Sequence, residues 1–433
     1  MDKLIESVKN VFKLENIRKK VLFTLLMLFI FRLGAFIPVA GVNGDKFGQA
    51  MDQYGDIFGM LDVFSGGAFK MATVFAMSIT PYINSSIIVQ LLTIAIPKLE
   101  KMQKEDEQGQ KKINDFVRYG AVILAFFQAS VMFISMHNLD SLNDGFYSVM
   151  GYLSITFSFT AGTAFLMWLG EKITDKGVGN GISMIIMVGI LSRIPSAVVR
   201  FISELDLATG IVDYLKLVFV IIVFLAVIVG VIYVDEAERR IPVQYAKRVV
   251  GRKMYGGQST HIPIKVNLSG VIPIIFAMSL MAFPSTIVSL LGGDSNSGWV
   301  SFFSNPGSGW GAVGYCLLYS FLIIFFTFFY AIAQFNPIEV ANNLKKNGGF
   351  IPGVRAGRPT ADYLSSTLIR ITWFGGFFLA IICIFPIVFG AITNINGLWF
   401  GGSSVLIMVG VATETIKQID SMMITRNYKG FLD

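Results

Sequence analysis

Cysteine is almost missing from this chain of 433 residues. Only Cys316 and Cys383 are present, each inside an apolar run, so neither a disulfide framework nor a cysteine metal site is available. Histidine is as scarce, with His137 and His261 standing apart as loop residues. No HExxH, GxSxG or P-loop pattern occurs, and the Gly177-Val178-Gly179-Asn180-Gly181 run lacks the spacing and following lysine of a phosphate cradle. Charge is thin too, at 15% of residues, and it avoids the middle of the long apolar stretches. Arg32 lies near the end of one, Glu171 and Lys172 close another, and Glu414 and Lys417 fall in the last third of the final one. An arginine at mid-membrane costs roughly 2.5 to 3.5 kcal/mol on insertion scales, which favours end positions where the side chain can snorkel. Membrane enzymes and ion-coupled pumps instead keep such groups at depth. These absences predict no enzyme activity, no metal and no cofactor.

What the chain has in excess is apolar surface. With 54% hydrophobic residues and a mean hydropathy of +0.65, it reads as an all-α polytopic membrane protein. Ten runs are long enough to span, at about 21 to 38, 72 to 96, 117 to 136, 150 to 170, 181 to 199, 214 to 234, 269 to 291, 312 to 334, 370 to 390 and 403 to 421. Of the 35 Lys and Arg, 29 fall on one side of these spans and four on the other, so the positive-inside rule predicts both termini in the cytoplasm. Residues 1–20 carry six cations among Leu4, Ile5, Val8, Val11 and Phe12 at helical spacing, with no cleavage site before the first run. This segment reads either as a helix on an anionic membrane surface or as a solvated one.

The stretch from 56 to 97 changes character along its length. Ile57, Met60, Leu61 and Phe64 fall at helical spacing over two turns, too short to span; Ser65-Gly66-Gly67 stops the pattern; an apolar run then resumes to Ile96 with Pro81 in its first third as a bend or re-entry point. Phe64-Ser65-Gly66-Gly67, Ile79-Thr80-Pro81-Tyr82-Ile83 and the following SIIVQLL resemble the second segment of the SecY/Sec61-alpha family of protein-conducting channels. The similarity continues through GNGIS, QSTH and FIPGVR in family order, over essentially the whole chain. It implies ten transmembrane helices in two inverted halves of five, residues 21–200 and 201–422, with a short plug helix at 57–67, cytoplasmic loops at 235–268 and 335–369, and a tail at 423–433. Pro81 and Pro273, each two residues before an isoleucine and five spans apart, form a faint internal echo of that inversion.

By the resemblance, a ring of aliphatic side chains closes the pore: Ile79 and Ile83, Ile182 and Ile186, Ile275, and Ile407. Such a ring resists water by dewetting and favours no particular substrate. Taken singly, each isoleucine is ordinary bundle packing. The plug and its hinge take Ile57, Leu61, Phe64, Ser65, Gly66 and Gly67, and the lateral gate takes Pro81, Asn84, Gln90 and Pro273. The two prolines are read as sites where a weakened backbone ladder permits motion or as static kinks, and the glycines as a hinge or as tight turns. Ile241, Val243 and Tyr245 alternate with polar residues before Gly251-Arg252, which suggests a twisted hairpin. That loop and the Pro352/Gly353-stiffened one after it carry Arg239, Arg240, Lys247, Arg248, Arg252, Lys345, Lys346, Arg355 and Arg358, which the resemblance makes a docking face for the motor ATPase SecA and the ribosome. Ala356 replaces a proline common in the family. Further implied partners are the small subunits SecE and SecG, signal sequences, nascent polypeptides and membrane lipids. The implied setting is the bacterial plasma (inner) membrane, multi-pass, and the implied function is the central pore-forming subunit of the Sec protein translocase. The alternative class is a secondary transporter or uniporter for a small solute.

Overall fold

In the computed structural model, residues 14–53, 62, 65–105, 107–204, 211–245, 248–250, 253–255, 259–290, 310–393 and 402–429 are described. The chain is mostly helical. In order it runs α1 (Glu15–Gly34), α2 (Gly44–Gln53), α3 (Thr80–Ala95), α4 (Pro97–Glu105), α5 (Glu107–Asn138), α6 (Val149–Lys176), α7 (Gly181–Glu204) and α8 (Ile211–Glu236). Then follow β1 (Glu238–Tyr245), β2 (Arg248–Val250), β3 (Lys253–Tyr255), β4 (Ser259–Lys265), α9 (Ile272–Leu290), α10 (Trp310–Gln334), α11 (Pro337–Lys346), β5 (Gly349–Phe350), α12 (Arg358–Thr393) and α13 (Gly402–Lys429).

Each of the ten apolar runs overlaps a helix, the second only from Thr80 onward. Among the described residues, six helices are long and apolar enough to cross a membrane, or seven if α3 and the start of α4, bent by 108° at Ile96, count as one broken span. Charges at Arg18, Lys19, Lys20 and Arg32 keep α1 below that mark. Polar caps set the helix starts: Ser148 accepts from the Gly151 amide at 3.3 Å to open α6, and Asn336 accepts from Ile338 and Glu339 at 3.2 and 3.4 Å to open α11. The outward faces are apolar, as on α8, where Val218, Phe219, Ile221, Ile222, Leu225 and Val229 are all exposed. A surface of that kind suits lipid rather than water.

The second span departs from expectation. A helix from about 72 with Pro81 as a bend was predicted, but residues 66–79 form successive turns, with Ala72 and Ser78 at φ of 47° and 50°, and helix begins only at Thr80. Pro81 sits in the first helical turn, and Pro273 is likewise the second residue of α9. Neither proline therefore weakens a backbone ladder, because the first amides of a helix lack intrahelical partners anyway. Both residues start helices rather than bend them.

The predicted hairpin is present, and it is part of something larger. β1 pairs with β4 antiparallel from Glu238↔Lys265 to Gln244↔Ser259, and β2 pairs with β3. β5, from the second basic loop, adds to the free edge of β1 through Gln244↔Phe350 and Tyr245↔Gly349, giving sheet order β4-β1-β5. Beneath it Ile241, Val243 and Ile264 pack with Leu344, Ile351, Leu364 and Leu368. The two loops thus share one small hydrophobic core.

Candidate functional site: a sealed core and a polar latch

All six candidate ring isoleucines meet in one hydrophobic cluster. Ile79, Ile186 and Ile407 are 1%, 4% and 1% exposed, and the partly buried Ile83, Ile182 and Ile275 pack against the same group. Four helix starts deliver them: Ile79 immediately precedes α3, Ile83 lies in its first turn, Ile182 and Ile186 open α7, Ile275 opens α9 and Ile407 is near the start of α13. The Ile83 amide donates to the Ile79 carbonyl at 3.0 Å, so the i, i+4 pair shares one face although Ile79 is outside the helix proper. Leu28 and Phe31 of α1, Phe75, and Leu166, Leu169 and Ile173 of α6 complete the packing. The six isoleucines, three buried and three partly so, come from both ends of the chain and offer neither charge nor hydrogen bond.

The glycine loop before α7 is tied down from two sides. The Val178 amide donates to Thr24 Oγ1 of α1 at 3.0 Å, and the Gly179 amide donates to Gln418 Oε1 of α13 at 2.5 Å. Gly179 has φ of 82°, which suits glycine, and Asn180 Oδ1 accepts from Ile182 and Ser183 at 3.1 and 3.3 Å. Asn180 therefore caps the helix that carries Ile182 and Ile186.

Beside the cluster, Ser65, Gly66 and Gly67 are held by a polar latch. Arg32 Nη1 donates to the Gly66 carbonyl at 3.1 Å and to Ser192 Oγ at 3.0 Å, and its guanidinium lies 5.2 Å from the Phe36 ring centroid. Arg193 of α7 forms an ion pair with Asp62. The Asp62 carboxylate also accepts from the Lys70 amide at 2.9 Å, and its carbonyl accepts from the Gly67 amide and Ser65 Oγ at 3.0 and 3.1 Å. Gly66 and Gly67 have φ of 66° and 95°. A Cβ at Gly66 would lie 2.9 Å from Ser192 Oγ and 3.0 Å from both Arg32 Nη1 and Gly189 Cα, so both conformation and space demand glycine there. Sequence reasoning read Arg32 as a snorkelling end residue and passed over Asp62 and Arg193. Ile57, Leu61 and Phe64 lie outside the described residues.

Along the candidate gate, α3 packs on α5 and touches α9. Ser85 Oγ donates to the Val117 carbonyl of α5 at 2.7 Å, and Tyr330 of α10 donates its hydroxyl to Gln90 Oε1. Asn84 Oδ1 is buried without a partner among the described residues. Phe276 of α9 makes edge contacts with Phe326 and Tyr330 of α10, with centroids 5.4 and 5.3 Å apart. On the loop platform Arg239, Arg240, Lys345, Lys346, Arg355 and Arg358 are all exposed. Gly353 and Gly357, at φ of 83° and 101°, bracket Arg355, whose carbonyl accepts from Thr360 Oγ1 at 2.8 Å. Lys247 and Arg252 lie outside the described residues, as does the side chain of Arg248.

Residues 73–416 match the SecY family model. The chain belongs to the SecY family. A relative from Halalkalibacterium halodurans, "Protein translocase subunit SecY", is 45% identical over 438 residues, covering 99% of this chain and 100% of that one. Two solved structures share the fold. One, described as showing that the plug domain of SecY stabilises the closed state of the translocation channel and maintains a membrane seal, matches with a TM-score of 0.68 at 19% identity, over 94% of this chain and 93% of that one. The other, Sec61 in the canine ribosome-channel complex from the endoplasmic reticulum, matches with a TM-score of 0.65 at 17% identity, over the same shares. Family membership and the apolar helices make the chain a multi-pass membrane protein.

Proposed function

We propose that the chain is the pore-forming subunit of a protein translocase, a gated channel that passes unfolded polypeptides and releases apolar segments sideways into lipid. The observation that carries the reading is the convergence of Ile79, Ile83, Ile182, Ile186, Ile275 and Ile407 from four helix starts into one cluster. An aliphatic constriction of this kind parts around any side chain and closes against water and ions. The bonds of Gly66 to Arg32 and Ser192, and the Asp62–Arg193 pair, support the reading of Ser65-Gly66-Gly67 as the hinge of a plug. The weakly joined seam of α3 against α9, with the Gln90–Tyr330 bond beside it, is the lateral exit.

In this reading the ten helices that carry the apolar runs are ten spans in two inverted halves, and both termini face the cytoplasm of a bacterium across its plasma membrane. The exposed cations of the two-loop platform receive the anionic surface of a ribosome or the docking edge of SecA, while SecE and SecG complete the channel. The energy comes from those drivers, and the chain itself performs no bond chemistry. Vesicles containing the chain with SecE and SecG, supplied with SecA and ATP, are expected to protect a secretory precursor from external protease. Failure of protection together with uptake of a small solute would replace the channel reading by a transporter.

A further inference from the structure

The amides of the glycine loop that opens α7 are taken up by side chains from three other helices. Gly181 donates to Thr174 Oγ1 of α6 at 2.9 Å, Val178 to Thr24 Oγ1 of α1, and Gly179 to Gln418 Oε1 of α13. Thr174 and Thr24 belong to the same early part of the chain as the loop. Gln418 is 239 residues away from its partner, so two adjacent amides reach helices near opposite ends of the sequence. A Cβ at Gly179 would stand 3.1 Å from Thr415 Oγ1, which places α13 directly against the loop.

Gln418 ends a stripe along α13. The spacing of Ile407, Val411, Thr415 and Gln418 puts all of them on one helix face. Ile407 and Val411 pack in one cluster with Met184, Ile185 and Ile186 of α7, Thr415 Oγ1 donates to Met184 Sδ at 3.7 Å, and Gln418 takes the Gly179 amide. The face is therefore apolar where the isoleucines meet and polar where the loop begins. Apolar contact is non-directional and allows two helices to slide or part gradually. A hydrogen bond to a backbone amide is directional, and it fixes the register of one helix start on its neighbour.

We propose that Gln418 is a positioning residue for the constriction: its bond to the Gly179 amide holds the start of α7 on α13, keeps Ile182 and Ile186 against Ile407, and is broken when a passing chain parts them. Gln418 then sets how good a signal sequence must be to open the channel. The inference rests on the channel reading of the isoleucine cluster. Gln418 lies outside that cluster and is exposed, so replacing it removes the bond without leaving a hole in the core.

The test uses the full chain reconstituted with SecE and SecG, supplied with SecA and ATP, and given two precursors, one with an intact signal sequence and one with a defective signal. The ratio of their protease-protected yields is read. Gln418→Leu has no acceptor and should raise the share of the defective precursor about fivefold, the effect of losing one hydrogen bond. Gln418→Glu keeps an acceptor oxygen at the same reach and should stay at the wild-type ratio. Hydrogen exchange of segment 177–182 should rise about fivefold in Gln418→Leu and not in Gln418→Glu. Gln418→Asn, one methylene short of Gly179, should follow Gln418→Leu and provides the comparison if the leucine variant does not fold. A wild-type ratio in the leucine and asparagine variants, even with faster exchange, would overturn the proposal, as would a relaxed ratio in Gln418→Glu. A wild-type channel that protects neither precursor would remove the channel reading and this inference with it, whereas a working wild type with an unresponsive Gln418→Leu removes the inference alone.

Discussion

Replacing Asp62 by Asn tests the latch with little change of shape. The Asp62 side chain is 6% exposed and that of Arg193 27% exposed. Removing one member of a buried ion pair costs about 3 to 5 kcal/mol, but Arg193 keeps a quarter of its surface in solvent and can rehydrate, which lowers the cost to about 2 kcal/mol. The neutral amide can still accept from the Lys70 amide, so the loss is confined to the charge pair. If the latched arrangement is the closed one, that difference raises the ratio of open to closed channels about 30-fold. Ion conductance across planar bilayers, with the chain reconstituted beside SecE and SecG, reads this directly. Asp62→Asn at wild-type conductance and wild-type thermal stability would refute the latch.

Gly66→Ala acts on the same hinge by another route: the left-handed backbone costs about 1 kcal/mol, the added Cβ presses on Ser192, Arg32 and Gly189, and leak in the same bilayer assay should rise. Ile407→Asn exchanges a 1% exposed aliphatic side chain for an amide, with a loss of about 1.5 to 3 kcal/mol of burial plus about 1 to 3 kcal/mol for an unsatisfied buried group; precursors with defective signal sequences should then be translocated, and unchanged signal dependence would count against the ring. Tyr330→Phe removes the hydroxyl that bonds Gln90 and should loosen the gate by about 1 kcal/mol, seen as faster lateral release of a nascent membrane segment. Ile264→Ala, at a fully buried position of the loop core, should destabilise the platform by about 2 to 5 kcal/mol and expose both basic loops to limited proteolysis, while leak stays at the wild-type level.

The apolar runs were legible because length and hydropathy alone decide whether a segment suits a bilayer; each overlaps a helix, and six or seven of the described helices are long and apolar enough to span. The meeting of the six isoleucines in one cluster was legible only through family motifs. An isoleucine on a helix face carries no mark of what it meets, and Ile407 lies far in sequence from Ile79. The irregular path of 66–79 was hidden because its composition is as apolar as a helix, while the left-handed turns at Ala72 and Ser78 use residues that ordinarily avoid them. Pro81 and Pro273 were visible as backbone punctuation, yet a proline pattern does not say whether it starts a helix or bends one. Two-residue β5 was too short to show any alternation, so the union of the two loops escaped. Arg32, Asp62 and Arg193 could have been suspected as charges beside apolar stretches, but pairing Asp62 with Arg193 required the fold.

The central claim is that translocating polypeptide passes through the isoleucine cluster. With Cys316 and Cys383 replaced and a single cysteine placed at Ile275, a secretory chain bearing one cysteine is stalled at successive lengths in the reconstituted channel and oxidised. The account predicts a disulfide that appears only at the lengths that bring the two cysteines together, moving along the substrate as the stall point moves. No disulfide at any length, from a channel that still protects the precursor, would place the path elsewhere and contradict it.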